Sequence, residues 1–162
     1  MMKNPYAISD FKTLRLEHYY YVDRTHKIPL IESVGKYLLF LRPRRFGKTL
    51  WLSTLKNYYD IAQKDMFETL FSDLWIGQRP TPLASQYFVL KWDFSCVKCS
   101  GSYGEIEKSL NQHINNRIKR FVSDYAHILQ SKIEIDPHSG FSSFESLMTC
   151  CLKNIAPAIP VH

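Results

Sequence analysis

Tyr37-Leu38-Leu39-Phe40-Leu41 runs into Arg42-Pro43-Arg44-Arg45-Phe46-Gly47-Lys48-Thr49, and Leu50-Trp51-Leu52-Ser53-Thr54-Leu55 runs out of it. Five consecutive apolar residues stopped by a basic, proline-containing turn read as a buried strand. The stretch after Gly47 opens on Lys48-Thr49 and carries an apolar face, so it reads as a helix. Strand, short loop and helix in that order, with further strands expected over 86–94 and 19–23, predict an α/β fold. It would be a partial phosphate-loop domain with mainly parallel strands flanked by helices.

The loop itself has the second half of a Walker A pattern. A phosphate chain needs several donors aimed into one small volume. The first turn of a helix provides them, because its N–H groups lack intrahelical partners and the helix dipole favours negative charge there. Gly47 has no Cβ, which lets the backbone turn sharply and approach phosphate oxygens. The Lys48 ammonium would reach the outer phosphates as a compact charge. The Thr49 hydroxyl would be a ligand of Mg²⁺, which prefers oxygen and arrives with the phosphates. The full pattern asks for glycine six positions before the lysine, and that position holds Arg42. Arg42, Arg44 and Arg45 can pair with phosphate oxygens in a bidentate fashion, or they form a solvated basic turn around a chance Gly-Lys-Thr.

Tyr6-Ala7-Ile8-Ser9-Asp10-Phe11-Lys12-Thr13-Leu14-Arg15, Tyr20-Tyr21-Val22-Asp23-Arg24-Thr25, the stretch from Tyr37 to Thr49, and Phe88-Val89-Leu90-Lys91-Trp92-Asp93-Phe94-Ser95 together resemble a bacterial family, the AAA-ATPase-like domain family of P-loop proteins. The similarity runs in blocks over about residues 4–150, and Arg42 through Thr49 is its most specific block. Arginine commonly stands in that family where Arg42 stands here. The resemblance implies ATP and Mg²⁺ as cofactors, bound by Arg42, Pro43, Arg44, Arg45, Phe46, Gly47, Lys48 and Thr49. It also implies a following nuclease-like domain of the PD-(D/E)XK type in many members, and through it a nucleic-acid partner for the full-length protein. The family further expects an apolar strand ending in Asp-Glu, and no Asp-Glu pair occurs here after Thr49. Hydrolysis is therefore expected to be weak or absent, and no catalytic residue is assigned. The rival reading is a nucleotide-independent basic module for nucleic acid or an acidic protein, the remnant of a decayed ATPase.

Composition is consistent with both readings. The chain has 162 residues, 45% of them hydrophobic, enough for a core, with a formal net charge of +6. Arg42, Arg44, Arg45 and Lys48 account for much of that excess, so a separate nucleic-acid surface is not required. Arg117-Ile118-Lys119-Arg120 reads either as a phosphate-backbone stripe or as the solvated side of an amphipathic helix. No apolar run reaches the roughly 20 residues that cross a bilayer, and Met1 to Pro5 lacks the apolar centre of a secretory signal. The expectation is a cytoplasmic protein with no membrane partner. Cys96-Val97-Lys98-Cys99 has zinc-knuckle spacing, but Cys150-Cys151 is an unusual second half, and ordinary reduced thiols are the competing reading.

Asp23 is read as a strand terminator or helix cap, or else as an acceptor toward a nucleotide's sugar or base. Asp93 falls near the end of an expected strand, within approach of a phosphate site, but is not read as a Mg²⁺ ligand. A helix is expected over 25–33, another from Phe67 through Trp75, and a long one from a capping box at Ser102 and Glu105 with its apolar stripe reaching Leu129. A second such box at Ser142 and Glu145 is expected to start the last helix. Residues 1–154 are read as an incomplete P-loop ATPase-like domain, a fragment or a shortened member, and 155–162 as an irregular tail.

Overall fold

Local capping chemistry starts several of the helices in the computed structural model, which describes residues 3–155. Asp10, in extended conformation, accepts the Thr13 N–H at 2.8 Å and starts helix α1 (Phe11–Leu16). A single 3₁₀ turn, Thr25–Lys27, leads into α2 (Ile28–Val34), with Pro29 in the first turn, where its missing N–H costs no hydrogen bond. Helix α3 (Lys48–Tyr59) begins at Lys48, as the loop reading expects. Asp60 then caps a 3₁₀ segment, Ile61–Met66, through the Ala62 N–H at 2.9 Å. The helical stretch expected from Phe67 is two short helices, α4 (Phe67–Phe71) and α5 (Trp75–Gln78).

Two units result, Met1–Val89 and Leu90–His162. The first buries Phe11, Ile28, Tyr58, Leu70, Phe71, Leu74 and Ile76 in one cluster. Phe71 is its hub, with ring centroids 5.0 Å from Phe11, 5.2 Å from Phe67 and 5.6 Å from Tyr58. Each such side chain contributes roughly 1.5–3 kcal/mol by leaving water. Gly77 is dictated by packing: a Cβ there would lie 1.8 Å from the Phe71 carbonyl oxygen.

The second unit is built on α6 (Tyr103–Asp124) and α7 (Gly140–Ile155), which with Tyr125 bury Ile118, Phe121, Leu147, Cys150 and Cys151. The Ser102–Glu105 capping box has both of its bonds. α6 ends at Asp124 and does not carry its stripe to Leu129: Tyr125 leaves the helical conformation (φ −109°, ψ 16°), and the next N–H, of Ala126, turns back three residues to the Ser123 carbonyl at 3.4 Å. α7 starts before Ser142, whose N–H is accepted by the Ser139 hydroxyl at 3.1 Å. The tail expected over 155–162 lies outside the described residues, apart from Ile155, which closes α7.

The expected α/β fold with mainly parallel strands does not form. Among the described residues there is no strand and no sheet; pairing is limited to the isolated bridges Lys3–Tyr19 and Asp60–Tyr87. A strand exists only where a neighbour takes up its N–H and C=O groups. Residues 37–41 have no neighbouring strand among those described, and they lie open to solvent, with Tyr37 97% and Leu39 84% exposed. Over 86–94, Tyr87 exchanges backbone bonds of 2.9 Å with Tyr59 and Ile61 at the end of α3, and no ladder follows. Over 19–23, the Tyr20 N–H to Lys3 carbonyl bond at 2.9 Å likewise ends after one bridge.

Candidate functional site

The loop Arg42–Thr49 lies in the first unit and leads directly into α3. Gly47 is left-handed (φ 74°, ψ 19°) and is the residue before the helix, with no side-chain cap on the turn that follows. Arg45 is also left-handed at φ 67°, a conformation that strains a residue with a Cβ. Alternation of hand along a loop turns successive N–H groups into an anion-binding concavity. Lys48 folds back across the loop: its Nζ donates to the Arg42 carbonyl and, at 3.1 Å, to the Pro43 carbonyl. The loop is thus closed around its own ammonium.

The remaining members are set out toward solvent. Arg42, Pro43, Arg44, Arg45, Phe46, Gly47 and Thr49 are exposed, and Lys48 is half-buried. The Arg42 guanidinium stands 6.0 Å over the Phe40 ring. No atom lies within 4 Å of where a Cβ on Gly47 would be, so its requirement is conformational, not steric. These groups offer anion-binding chemistry: N–H donors at a helix start, a bridging ammonium and exposed guanidiniums.

What holds α3 in place is the part of the site that the sequence reading did not identify. One turn beyond Thr49, the Ser53 hydroxyl accepts the Phe11 N–H at 2.9 Å and donates to Asp10 Oδ2 at 3.2 Å. Burial alone would raise the Asp10 carboxyl, but hydrogen bonds from Thr13 and Ser53 hold it below the usual carboxylate range. The Tyr21 hydroxyl meets Thr54 Oγ1 at 3.4 Å, and burial pushes that phenol upward. At the far end of α3, the Tyr59 hydroxyl donates to Glu32 at 3.0 Å, and Thr81 donates to the same carboxylate oxygen at 2.8 Å. An Asp10 cap is the kind of local signal a sequence can carry, though the sequence reading did not identify it, and nothing in the spacing links Asp10-Phe11 to Ser53.

Asp23 is occupied by Thr25 and Trp75. Its Oδ1 accepts from the Thr25 N–H at 2.8 Å and hydroxyl at 2.7 Å, and its Oδ2 accepts the Trp75 N–H at 2.8 Å. Capping is therefore the role it fills, at two helix starts at once. Asp93, in the second unit, accepts the Ser95 N–H at 3.1 Å, and hydrogen bonds from Ser95 hold its carboxyl below the usual range. In the 117–120 segment Ile118 is buried, while Lys119 and Arg120 are exposed. Cys96 and Cys99 are exposed and Cys150 and Cys151 buried; among the described residues no three His, Cys, Asp or Glu side chains converge to hold a metal ion. No helix among them is long and apolar enough to cross a membrane.

Residues 5–160 match the family described as Predicted AAA-ATPase, and the chain belongs to this AAA-ATPase-like family. A stretch of 84 residues, 50% of the chain, is 38% identical to the "Uncharacterized protein in vnfD 5'region" of Azotobacter chroococcum mcd 1. That stretch covers 16% of the relative, so the chain spans only a small part of its length. No solved structure matches the chain.

Proposed function

We propose that the chain binds a nucleoside triphosphate, ATP in the first instance, together with Mg²⁺ at Arg42–Thr49. The observation that carries this reading is the fold-back of Lys48 onto the Arg42 and Pro43 carbonyls at the start of α3. Membership of an AAA-ATPase-like family supports it. The residues fit the group: Gly47 and Arg45 bend the backbone so that N–H groups can turn to one side, Lys48 offers a charge at the loop's centre, and Thr49 is exposed for the metal. Mg²⁺, when bound, would neutralise phosphate charge and polarise the terminal phosphoryl group. This chain has no Asp-Glu pair after Thr49 to hold the metal from the other side, so binding with weak or absent hydrolysis is the function proposed.

The test is equilibrium binding of a fluorescent ATP analogue, with and without Mg²⁺, to the chain and to Lys48→Ala. Removing a charge-assisted hydrogen bond to the phosphate weakens binding by about 1.5–3 kcal/mol, or roughly tenfold to a hundredfold. Saturable, Mg²⁺-dependent binding that falls by that much supports the site. Binding indifferent to Lys48 and strongly suppressed by salt would overturn it in favour of a basic surface for nucleic acid or an acidic protein.

A further inference from the structure

Four cysteines divide into two pairs whose surroundings are opposite. Cys150 and Cys151 are inside the α6–α7 core, 4% and 8% exposed, and burial pushes the Cys151 thiol up to about 11. Buried thiols held in their protonated form are poor nucleophiles. Cys96 and Cys99 are both exposed, separated by Val97 and Lys98, in the segment that precedes α6. Two free, exposed thiols this close in sequence have sulfur–sulfur exchange open to them.

The loop around the exposed pair is built and held at both sides. Phe94–Cys96 forms a 3₁₀ turn capped by Asp93, closed by the Val97 N–H to Phe94 carbonyl bond at 3.1 Å. On the other side Lys98 is docked on α6 twice, by its N–H to the Ser109 hydroxyl at 3.0 Å and by its ammonium to Glu105 at 3.2 Å. The Cys99 thiol donates to the Val97 carbonyl at 3.2 Å, back across the ring that a Cys96–Cys99 disulfide would close. With only Val97 and Lys98 between them, attack by the second thiol on a mixed disulfide formed at the first is intramolecular.

We infer that Cys96 and Cys99 form a redox-active dithiol that is oxidised by low-molecular-weight disulfides. The thiolate of one cysteine attacks a sulfur of the small disulfide, forming a mixed disulfide and releasing one small thiolate. The second cysteine, as thiolate, then attacks the protein-bound sulfur, the Cys96–Cys99 bond forms, and the second small thiolate leaves. The protein loses two electrons and two thiol protons, and the small disulfide becomes two thiols, so the exchange balances.

The full chain, reduced and freed of reductant, is incubated with glutathione disulfide, quenched with an alkylating agent and examined by intact mass and peptide mapping. The expected product has lost two hydrogens within the peptide that holds Cys96 and Cys99 and retains no glutathione, while Cys150 and Cys151 are alkylated only after unfolding. Cys96→Ser and Cys99→Ser, changes at exposed positions whose helical content is checked by circular dichroism, lack the second thiol. They should retain one glutathione at least about tenfold more than the unsubstituted chain. Glutathione retained equally by all three proteins, no modification at all, or a disulfide that includes Cys150 or Cys151 would each overturn the inference.

Discussion

Asp23→Ala should cost the first unit a large share of its stability without touching the Arg42–Thr49 loop. Asp23 takes three hydrogen bonds, two from Thr25 and one from the Trp75 N–H. Thr25 extends the chain by accepting the Ile76 N–H at 3.1 Å. Leu74, which precedes α5, has no side chain able to cap it, so Asp23 and Thr25 supply that cap from across the fold. Alanine leaves the Thr25 and Trp75 N–H groups without this charged acceptor. Bonds to a charged group are worth about 1.5–3 kcal/mol each, and partial solvent access lets water recover some of that. A loss of about 2–4 kcal/mol is therefore expected, against a typical total of about 5–15 kcal/mol. Asp23→Asn keeps one acceptor oxygen and should lose about half as much.

Urea denaturation followed by tryptophan fluorescence measures the loss directly, with Trp75 at the affected helix. The pH dependence gives a second arm. Burial alone would raise the Asp23 carboxyl, but bonds from the Trp75 N–H and from Thr25 hold it below its ordinary value. Because the folded value lies below the unfolded value of about 3.9, the stabilisation is complete above that pH and fades as pH falls through the folded value. The gap between the natural chain and Asp23→Ala should accordingly close in acid. A loss under about 1 kcal/mol at neutral pH, or a gap unchanged at about pH 2, would refute the capping argument. So would weakened ATP binding with stability intact, which would return Asp23 to the nucleotide.

Gly77→Ala forces a methyl onto the Phe71 carbonyl, 1.8 Å away, and backbone cannot yield as a flexible side chain can. It should destabilise by about 3 kcal/mol or more in chemical denaturation, and a neutral result would show that α5 packs elsewhere. Ser53→Ala removes the acceptor of the Phe11 N–H and should cost about 1–2 kcal/mol by the same assay; no change would mean that α1 does not anchor α3.

The helical elements were readable because their signals are local. Gly47 before Lys48 and Ser102 with Glu105 each act within one turn of chain, and α3 and α6 start where those residues place them, while Asp10 before Phe11 is a local signal of the same kind that the sequence reading did not identify. The sheet was not readable in the same way, because an apolar run such as Tyr37–Leu41 reports only that burial would be favourable. Whether a neighbouring strand exists is a non-local fact, and among the described residues none does. The same limit applies to Asp23 and Ser53. Both were visible as polar residues near apolar ones, but their partners Trp75 and Phe11 lie 52 and 42 residues away. Asp93 shows the converse, a carboxylate whose partner is two residues on and whose role is a local turn.

With no sheet among the described residues to support it, the Arg42–Thr49 loop takes its shape from α3 and from Lys48. α3 is held at its first turns by Asp10, Phe11 and Tyr21 and at its end by the Tyr59–Glu32 bond, so the helix start is a fixed platform. The side expected to be a strand is exposed and contributes no such constraint. What closes the loop is the ammonium of Lys48, which donates to the Arg42 and Pro43 carbonyls. An ammonium has three protons, so two acceptors leave one for a ligand. On the proposed reading Lys48 therefore has two tasks, shaping the loop and meeting the phosphate. A guanidinium exposed on the turn has only its own pairing with the ligand to offer. For that reason the loss of ATP binding on substituting Lys48 by alanine should exceed that for Arg44 or Arg45, although all three carry the same charge. Equal losses in the same titration would reduce Lys48 to one more charge on a basic surface.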